Sequence, residues 1–183
     1  MIEIEYKLPV SNLISVENKI KEIGFAFSEE IQEIDKYFDN STGNIKANDS
    51  ALRIRKTINV HTNVCDTVIT FKGPKLDSYS VTRPEYETTV SDAETAEIIL
   101  NSLGYFCVAP YVNKLRKTYT KENITACLDS VENLGDYLEL EILVSDDNLR
   151  EESQLKIENT LNELGYTTSD TITTSYLSAL QKS

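Results

Sequence analysis

Much of the chain alternates between charged and apolar residues with a period of two. The stretch E-I-E-Y-K at residues 3–7 is typical, because charged residues there flank Ile4 and Tyr6. In a β-strand this spacing places the charged side chains on one face and the apolar ones on the other. Similar alternation, bounded by turn residues, predicts strands at residues 2–9, 33–39, 51–58, 64–72, 81–90, 111–120, 123–130 and 137–144.

Other segments repeat their apolar residues at helical spacing. They predict helices at residues 11–23, 91–103 and 148–164, with a short helix after Thr174. The three longer segments end in the similar phrases E-I-G-F, S-L-G-Y and E-L-G-Y. Their glycines, Gly24, Gly104 and Gly165, are therefore expected in the left-handed conformation that ends a helix. The tetrapeptide S-T-G-N predicts a turn within a loop at residues 35–50.

The polar faces of the predicted strands carry acids and bases at matched positions. The acids are Glu3, Glu5, Glu85, Glu87, Asp129, Glu139 and Glu141. The bases are Lys7, Arg53, Arg55, Lys72, Arg83, Lys114 and Arg116. If the amphipathic helices cover the apolar face of the sheet, the charged face looks either into solvent or into a closed sheet.

About eight strands are enough to close a barrel around a small ligand. We therefore predict an α+β fold: a closed eight-stranded antiparallel β-barrel, or tunnel, with a charged lumen and flanking helices. The alternative is an open sheet with a solvated charged face. No linker-like segment divides the 183 residues, so a single domain spanning residues 1–183 is expected.

Composition narrows the possible partners and compartment. The formal net charge of −12 disfavours nucleic acid and anionic membrane surfaces. The chain has no apolar run long enough to cross a membrane and no visible secretory signal, so a cytoplasmic location is expected. Cys65, Cys107 and Cys127 are scattered, which argues against a disulfide framework or a thiolate metal site. His61, the only histidine, is expected on the surface of a hairpin.

The charged lumen suggests a particular chemistry. Carboxylates crowded into one cavity take up protons unless a cation satisfies them. Mg²⁺ and Mn²⁺ prefer oxygen ligands, whereas arginine and lysine suit phosphate oxygens. Acids that hold a metal beside bases that hold a polyanion are what phosphoryl transfer needs. There is no P-loop motif, so phosphate binding is not expected at a helix N-terminus.

Seven short blocks resemble the CYTH superfamily, also called triphosphate tunnel metalloenzymes. They are E-I-E-Y-K at 3–7, D-K-Y-F-D at 35–39, A-L-R-I-R at 51–55, F-K-G-P-K at 71–75, K-L-R at 114–116, C-L-D-S-V-E-N-L-G-D-Y-L-E-L-E at 127–141 and S-Y-L-S-A-L at 175–180. Within the superfamily, F-K-G-P-K and D-x-V-x-x-L-G-x-Y are most similar to the CyaB-type class IV adenylyl cyclases.

The resemblance implies a role for each charged residue that matches a family motif. The implied metal-binding acids are Glu3, Glu5, Asp129, Glu139 and Glu141. The implied triphosphate-binding bases are Lys7, Arg53, Arg55, Lys72, Arg83, Lys114 and Arg116. Glu3, Glu5 and Lys7 are the candidate catalytic residues, with Mg²⁺ or Mn²⁺ as cofactor. Arg83, Glu85 and Glu87 lie on a strand that the family also uses. Tyr37 and Tyr176 either contact the organic part of a substrate or pack in the core.

Three functions are consistent with this pattern. The leading hypothesis is a cyclase that converts ATP into cyclic AMP and pyrophosphate. The second is a triphosphatase acting on tripolyphosphate, thiamine triphosphate or a nucleoside triphosphate. The third is a non-catalytic module that binds polyphosphate, although a pure anion binder gains nothing from carboxylates beside its ligand. Folds that leave a helix or strand edge uncovered commonly form homodimers. The sequence therefore allows a homodimer as well as a monomer.

Overall fold

The computed structural model of the chain describes residues 2–76 and 82–182. Its centre is a closed antiparallel barrel whose strands follow one another in the order β1-β5-β4-β3-β2-β6-β7-β8. The strands are β1 Ile2–Val10, β2 Ala26–Asn40, β3 Ala51–Asn59, β4 Cys65–Lys72, β5 Arg83–Thr89, β6 Tyr105–Lys121, β7 Ile124–Val131 and β8 Gly135–Val144. The predicted fold class is therefore confirmed, and the open sheet is excluded.

Helices flank the barrel. They are α1 Leu13–Glu22, α2 Asn44–Ala47, α3 Ala93–Ser102, α4 Arg150–Leu164 and α5 Tyr176–Leu180, with 3-10 turns at Asp147–Leu149 and Thr168–Asp170. The helix-ending conformation predicted for Gly24, Gly104 and Gly165 is confirmed by φ angles of +95°, +88° and +87°. Within residues 2–76 and 82–182, no helix combines the length and the apolar character needed to cross a bilayer.

Several predicted boundaries need correction. β2 and β6 begin earlier than predicted, because they pair with each other from Ala26–Thr120 to Asn40–Tyr105. This long ladder extends through segments whose own alternation is weak, since pairing overrides local pattern. The predicted loop at 35–50 instead contains the end of β2 and the short helix α2. Of the predicted strand 81–90, residue 81 lies outside the described residues.

The side chain of Asp39 explains how α2 forms directly after β2. Its carboxylate accepts hydrogen bonds from the backbone N–H groups of Ile45 (2.9 Å) and Lys46 (3.0 Å). These are donors that a helix start otherwise leaves without partners.

The main apolar core lies outside the barrel wall. Outward-facing residues of β1, β7 and β8 pack against α1 and α4, and Ile4, Leu8, Leu138, Ile157 and Leu161 are fully buried there. A second cluster joins Phe38 and Ile54 to Ala96 of α3. Complete burial of such an aliphatic side chain contributes about 1.5–3 kcal/mol. The apolar faces of the strands thus pack outward against the helices, and the charged faces of the strands point into the lumen.

Candidate functional site

The lumen contains a cavity of about 660 Å³. The structure brings nearly all of the predicted site residues to its wall, and each reaches the wall because alternate residues of a strand share one face. Those that line the cavity are Glu3, Glu5, Lys7, Arg53, Arg55, Lys72, Arg83, Lys114, Arg116, Glu139 and Glu141. Glu85 and Glu87 line it as well. Of the predicted set, Asp129 lies behind this wall, as described below.

Three carboxylates, here called the carboxylate triad, gather on one side of the lumen. Glu3 and Glu5 come from β1 and Glu141 from β8, and one oxygen of each lies within 4.8 Å of the others. The strand register causes this crowding, because Glu5 is directly opposite Glu141 in the β1–β8 ladder. The triad is thus a grouping of like charges in which Glu3 and Glu5 are buried and Glu141 is partly buried.

The pKa values within the triad show that its negative charge is only partly compensated. Burial, reinforced by Glu139, raises the pKa of Glu5 to about 7. Burial also raises the pKa of Glu141 to about 8, although Arg116 opposes the shift. The pKa of Glu3 is lowered, because its ion pair with Lys72 outweighs the effect of burial. Buried oxygen ligands with residual negative charge are what a hard divalent cation such as Mg²⁺ or Mn²⁺ prefers, so these residues fit the metal.

Asp129 has a different environment from the triad. It is fully buried, and its carboxylate accepts hydrogen bonds from Lys114 (2.8 Å) and twice from Arg116 (2.6 Å each). The hydroxyl of Tyr176 donates a further hydrogen bond to it at 3.0 Å. The structure thus places this predicted metal ligand among bases, where it neutralises them.

Glu139 lies between these two environments. It pairs closely with Arg116, and its carboxylate is 3.9 Å from the ammonium of Lys7 and 4.0 Å from that of Lys114. Burial would raise the pKa of Glu139, but the nearby bases, Lys114 first, lower it well below the usual range.

The barrel interior contains two further acids, Glu33 and Asp35, that were not among the predicted site residues. Arg55 donates hydrogen bonds to Asp35 (2.7 and 2.8 Å) and to Glu33 (2.6 Å), and Lys114 is 3.0 Å from Glu33. Burial opposes ionisation of both acids, but the bases prevail and lower both pKa values. The sequence does contain a pattern that predicts their position: I-Q-E-I-D at residues 31–35 alternates in the same way as the other strands.

Other bases of the lumen retain donors for a ligand. Arg53 is buried and bonds weakly to Asp35 (3.4 Å) and Thr70 (3.3 Å). Its Nε atom makes no hydrogen bond within the described part of the chain. Arg83 donates a hydrogen bond to the carbonyl oxygen of Asp49 at 3.3 Å. A buried donor without a partner carries a desolvation cost that an anionic ligand would remove.

The remaining candidates lie at the ends of the lumen or outside it. Tyr37 lines the cavity and is half-buried in an apolar cluster with Val112. Tyr176 is only 7% exposed and belongs to the same cluster, so it packs in the core as well as facing the lumen. The side chain of His61 is 63% exposed, which confirms its predicted surface position.

Comparisons with known proteins agree with this geometry. The CYTH domain model matches residues 1–176. A protein of Methanocaldococcus jannaschii, named putative adenylate cyclase MJ0240, is 35% identical over 177 residues, which cover 97% of each chain. Adenylate cyclase CyaB of Aeromonas hydrophila is 27% identical over 155 residues, 85% of this chain and 75% of that protein.

A solved structure shares the whole fold. The PH1819 protein of Pyrococcus horikoshii OT3 superimposes with a TM-score of 0.88 and 32% sequence identity, covering 98% of each chain. The barrel, its charged lumen and these similarities lead to one conclusion: the chain belongs to the CYTH domain family, and its named relatives include CyaB.

Proposed function

We propose that this protein is a metal-dependent enzyme acting on a linear triphosphate, and specifically an adenylyl cyclase that converts ATP into cyclic AMP and pyrophosphate. One observation carries the proposal: a carboxylate triad whose negative charge is only partly compensated faces the same cavity as Arg53, whose buried Nε has no partner among the described residues. A pure anion site would not place like-charged carboxylates beside its ligand, because they would repel it. The names of two relatives support the cyclase in particular.

The residues that line the cavity would have different roles, which follow from their surroundings. Arg53, Lys72 and Arg83 would bind the phosphate oxygens, because each faces the cavity and Arg53 has a buried N–H to offer. The triad would hold Mg²⁺ or Mn²⁺, which when bound neutralises charge on the phosphate oxygens. Lys7, between Glu5 (3.8 Å) and Glu139 (3.9 Å), supplies a further positive charge at the centre of the lumen.

In the cyclase reaction, the 3′-hydroxyl oxygen of the ribose bonds to the α-phosphorus of ATP. The bond from that phosphorus to the pyrophosphate leaving group breaks, and the hydroxyl proton passes to solvent. Nearly all of the protein's contribution would be positioning and charge neutralisation. The cavity volume of about 660 Å³ is within the range typical of small-molecule sites.

A product assay tests the proposal. Purified protein is incubated with ATP and, separately, with tripolyphosphate, first in Mg²⁺ and then in Mn²⁺, and products are separated by ion-exchange chromatography. We expect cyclic AMP and pyrophosphate in equal amounts. Orthophosphate from tripolyphosphate, with ATP unchanged, would instead identify a triphosphatase on the same site. Binding without turnover in either metal would leave a non-catalytic polyphosphate-binding module. The Glu5→Gln variant serves as the control for a contaminating activity.

A further inference from the structure

The C-terminal segment lines the cavity and contributes a single aromatic ring, that of Tyr176, to the charged lumen. The backbone N–H of Ile172 donates to the carbonyl oxygen of Lys7 at 2.7 Å, which ties the segment to β1. Further along, the side chain of Gln181 donates to the carbonyl oxygen of Ala109 at 3.0 Å. Between these anchors, the ring of Tyr176 enters the lumen at the start of α5.

Tyr176 contacts two of the lumen's ammonium groups through the face of its ring. The Nζ atom of Lys7 lies 4.6 Å from the ring centroid and that of Lys114 lies 5.2 Å from it. Its hydroxyl donates to Asp129 at 3.0 Å, and its ring packs edge-on against Tyr137 with centroids 4.9 Å apart. The ring is therefore held on two sides while its face meets two cations.

Lys7 depends on this ring more than the other lumen bases do. Its two ion pairs, to Glu5 at 3.8 Å and to Glu139 at 3.9 Å, are both longer than a hydrogen bond. The face of an aromatic ring attracts an ammonium electrostatically, and more strongly when water is excluded. The ring thus restrains the ammonium while leaving its N–H donors free, whereas a close carboxylate partner would occupy them.

We propose that Tyr176 is a positioning residue for the triphosphate site: its ring restrains the ammonium groups of Lys7 and Lys114 at the cavity. This inference rests on the proposed function and deepens it, because it assigns a role in anion binding to a side chain that itself carries no charge. The C-terminal segment then contributes to ligand affinity as well as lining the cavity.

The test measures binding of inorganic tripolyphosphate in EDTA, where turnover is arrested, by titration calorimetry. Tyr176→Phe retains the ring, and we expect its affinity to stay within about threefold of the original protein. Tyr176→Leu removes the ring, and we expect about tenfold weaker binding. Mn²⁺ binding, measured without tripolyphosphate, should be unchanged in both variants, because the carboxylate triad is intact.

A second series separates the electrostatic effect from packing. Replacing Tyr176 by phenylalanine and then by mono-, di- and trifluorinated phenylalanines weakens the negative face of the ring with little change of volume. Tripolyphosphate affinity should fall stepwise along this series. The series remains informative even if Tyr176→Leu does not fold, since each ring still fills the same space.

Ile172→Ala provides a matched control, because it removes volume from the same apolar cluster and leaves the ring in place. Equal weakening by Ile172→Ala and Tyr176→Leu would overturn the proposal, since packing alone would then explain both. A flat fluorination series would also overturn it. If the original protein fails to bind tripolyphosphate at all, with or without Mg²⁺, the proposed function fails too, and that result is distinct from a defect confined to position 176.

Discussion

Two groups of acids lie in or behind the wall of the lumen and behave in opposite ways. The carboxylate triad of Glu3, Glu5 and Glu141 contains two groups whose pKa values are raised to about 7 and about 8. The second group, here called the paired acids, is Glu33, Asp35 and Asp129, and each of its members contacts lysine or arginine at 3.0 Å or less. The paired acids are the more deeply buried group, with side chains at most 5% exposed against 9–20% in the triad, so burial alone cannot cause the difference.

The register of the strands causes it. Glu5 is directly opposite Glu141, so like charges meet across the β1–β8 ladder. Asp129 is opposite Arg116, Asp35 is opposite Arg55, and Glu33 is opposite Lys114. Opposite charges across a ladder stabilise the sheet, and like charges destabilise it. The paired acids therefore support the barrel, and the triad is left for a ligand that supplies positive charge.

Removal of a paired acid should have the largest effect. Asp129→Asn leaves Lys114 and Arg116 buried without their main carboxylate partner, so we expect the free energy of unfolding to fall by about 3–5 kcal/mol. Urea denaturation measures this loss. Glu141→Gln, which removes one carboxylate charge from the triad, should unfold at the same urea concentration as the original protein or a higher one. Equal destabilisation by the two variants would refute the distinction between the groups.

Removal of a triad carboxylate should instead affect catalysis. Glu3→Gln or Glu5→Gln takes one ligand from the candidate metal site, and we expect kcat to fall at least about 100-fold. Thermal stability without metal should not fall for Glu5→Gln, because the variant relieves repulsion with Glu141. Tripolyphosphate binding in EDTA should be partly retained. Full activity of these variants in Mg²⁺ would contradict the assignment of the metal.

Removal of a base should chiefly weaken ligand binding. Arg53→Ala and Lys72→Ala each delete charge-assisted hydrogen bonds, worth about 1.5–3 kcal/mol, so we expect about a ten- to hundredfold rise in KM for the triphosphate with a smaller change in kcat. Arg53→Ala is the cleaner variant, because Arg55 still pairs with Asp35. Steady-state kinetics separate the two constants. A fall in kcat with unchanged KM would assign Arg53 to the transition state alone.

The smallest expected effect is a change in stability with pH. Glu5 and Glu141 have folded-state pKa values above the ordinary 4.5, so the folded protein keeps protons that the unfolded chain releases. Without metal, stability contributed by these groups is therefore present at low pH and is lost as the pH rises through about 7 and about 8.

Metal binding reverses this trend, because a bound cation favours the ionised carboxylates. The rise in Tm on adding Mn²⁺ should therefore increase from pH 6 to about pH 8.5, as measured by calorimetry with and without the ion. Glu141→Gln removes one of the titrating groups and should reduce the pH dependence. A metal-induced rise that shrinks as the pH increases would exclude the triad as the metal site.

The sequence predicted which faces of the strands carry charge more reliably than where the strands begin. Alternation placed Glu3, Lys72 and Glu141 on the lumen side, and the structure agrees. It missed Glu33 and Asp35 as lumen acids, although the predicted strand 33–39 contains both, because their positions opposite Lys114 and Arg55 depend on the pairing of β2 with β6 and β3. The beginning of β2 depends on pairing with β6, which no local pattern specifies.

Local pattern by itself determined the composition of the lumen, since a period of two decides which side chains share a face and amphipathic helices decide which face turns outward. The tertiary structure alone decided what each charge does there. Asp129 and Glu141 are indistinguishable in the alternating pattern, yet one meets Arg116 across its ladder and the other meets Glu5. The physical reason is that pKa and ion pairing depend on neighbours in space, and strand register, unlike alternation, is set by contacts between distant parts of the chain.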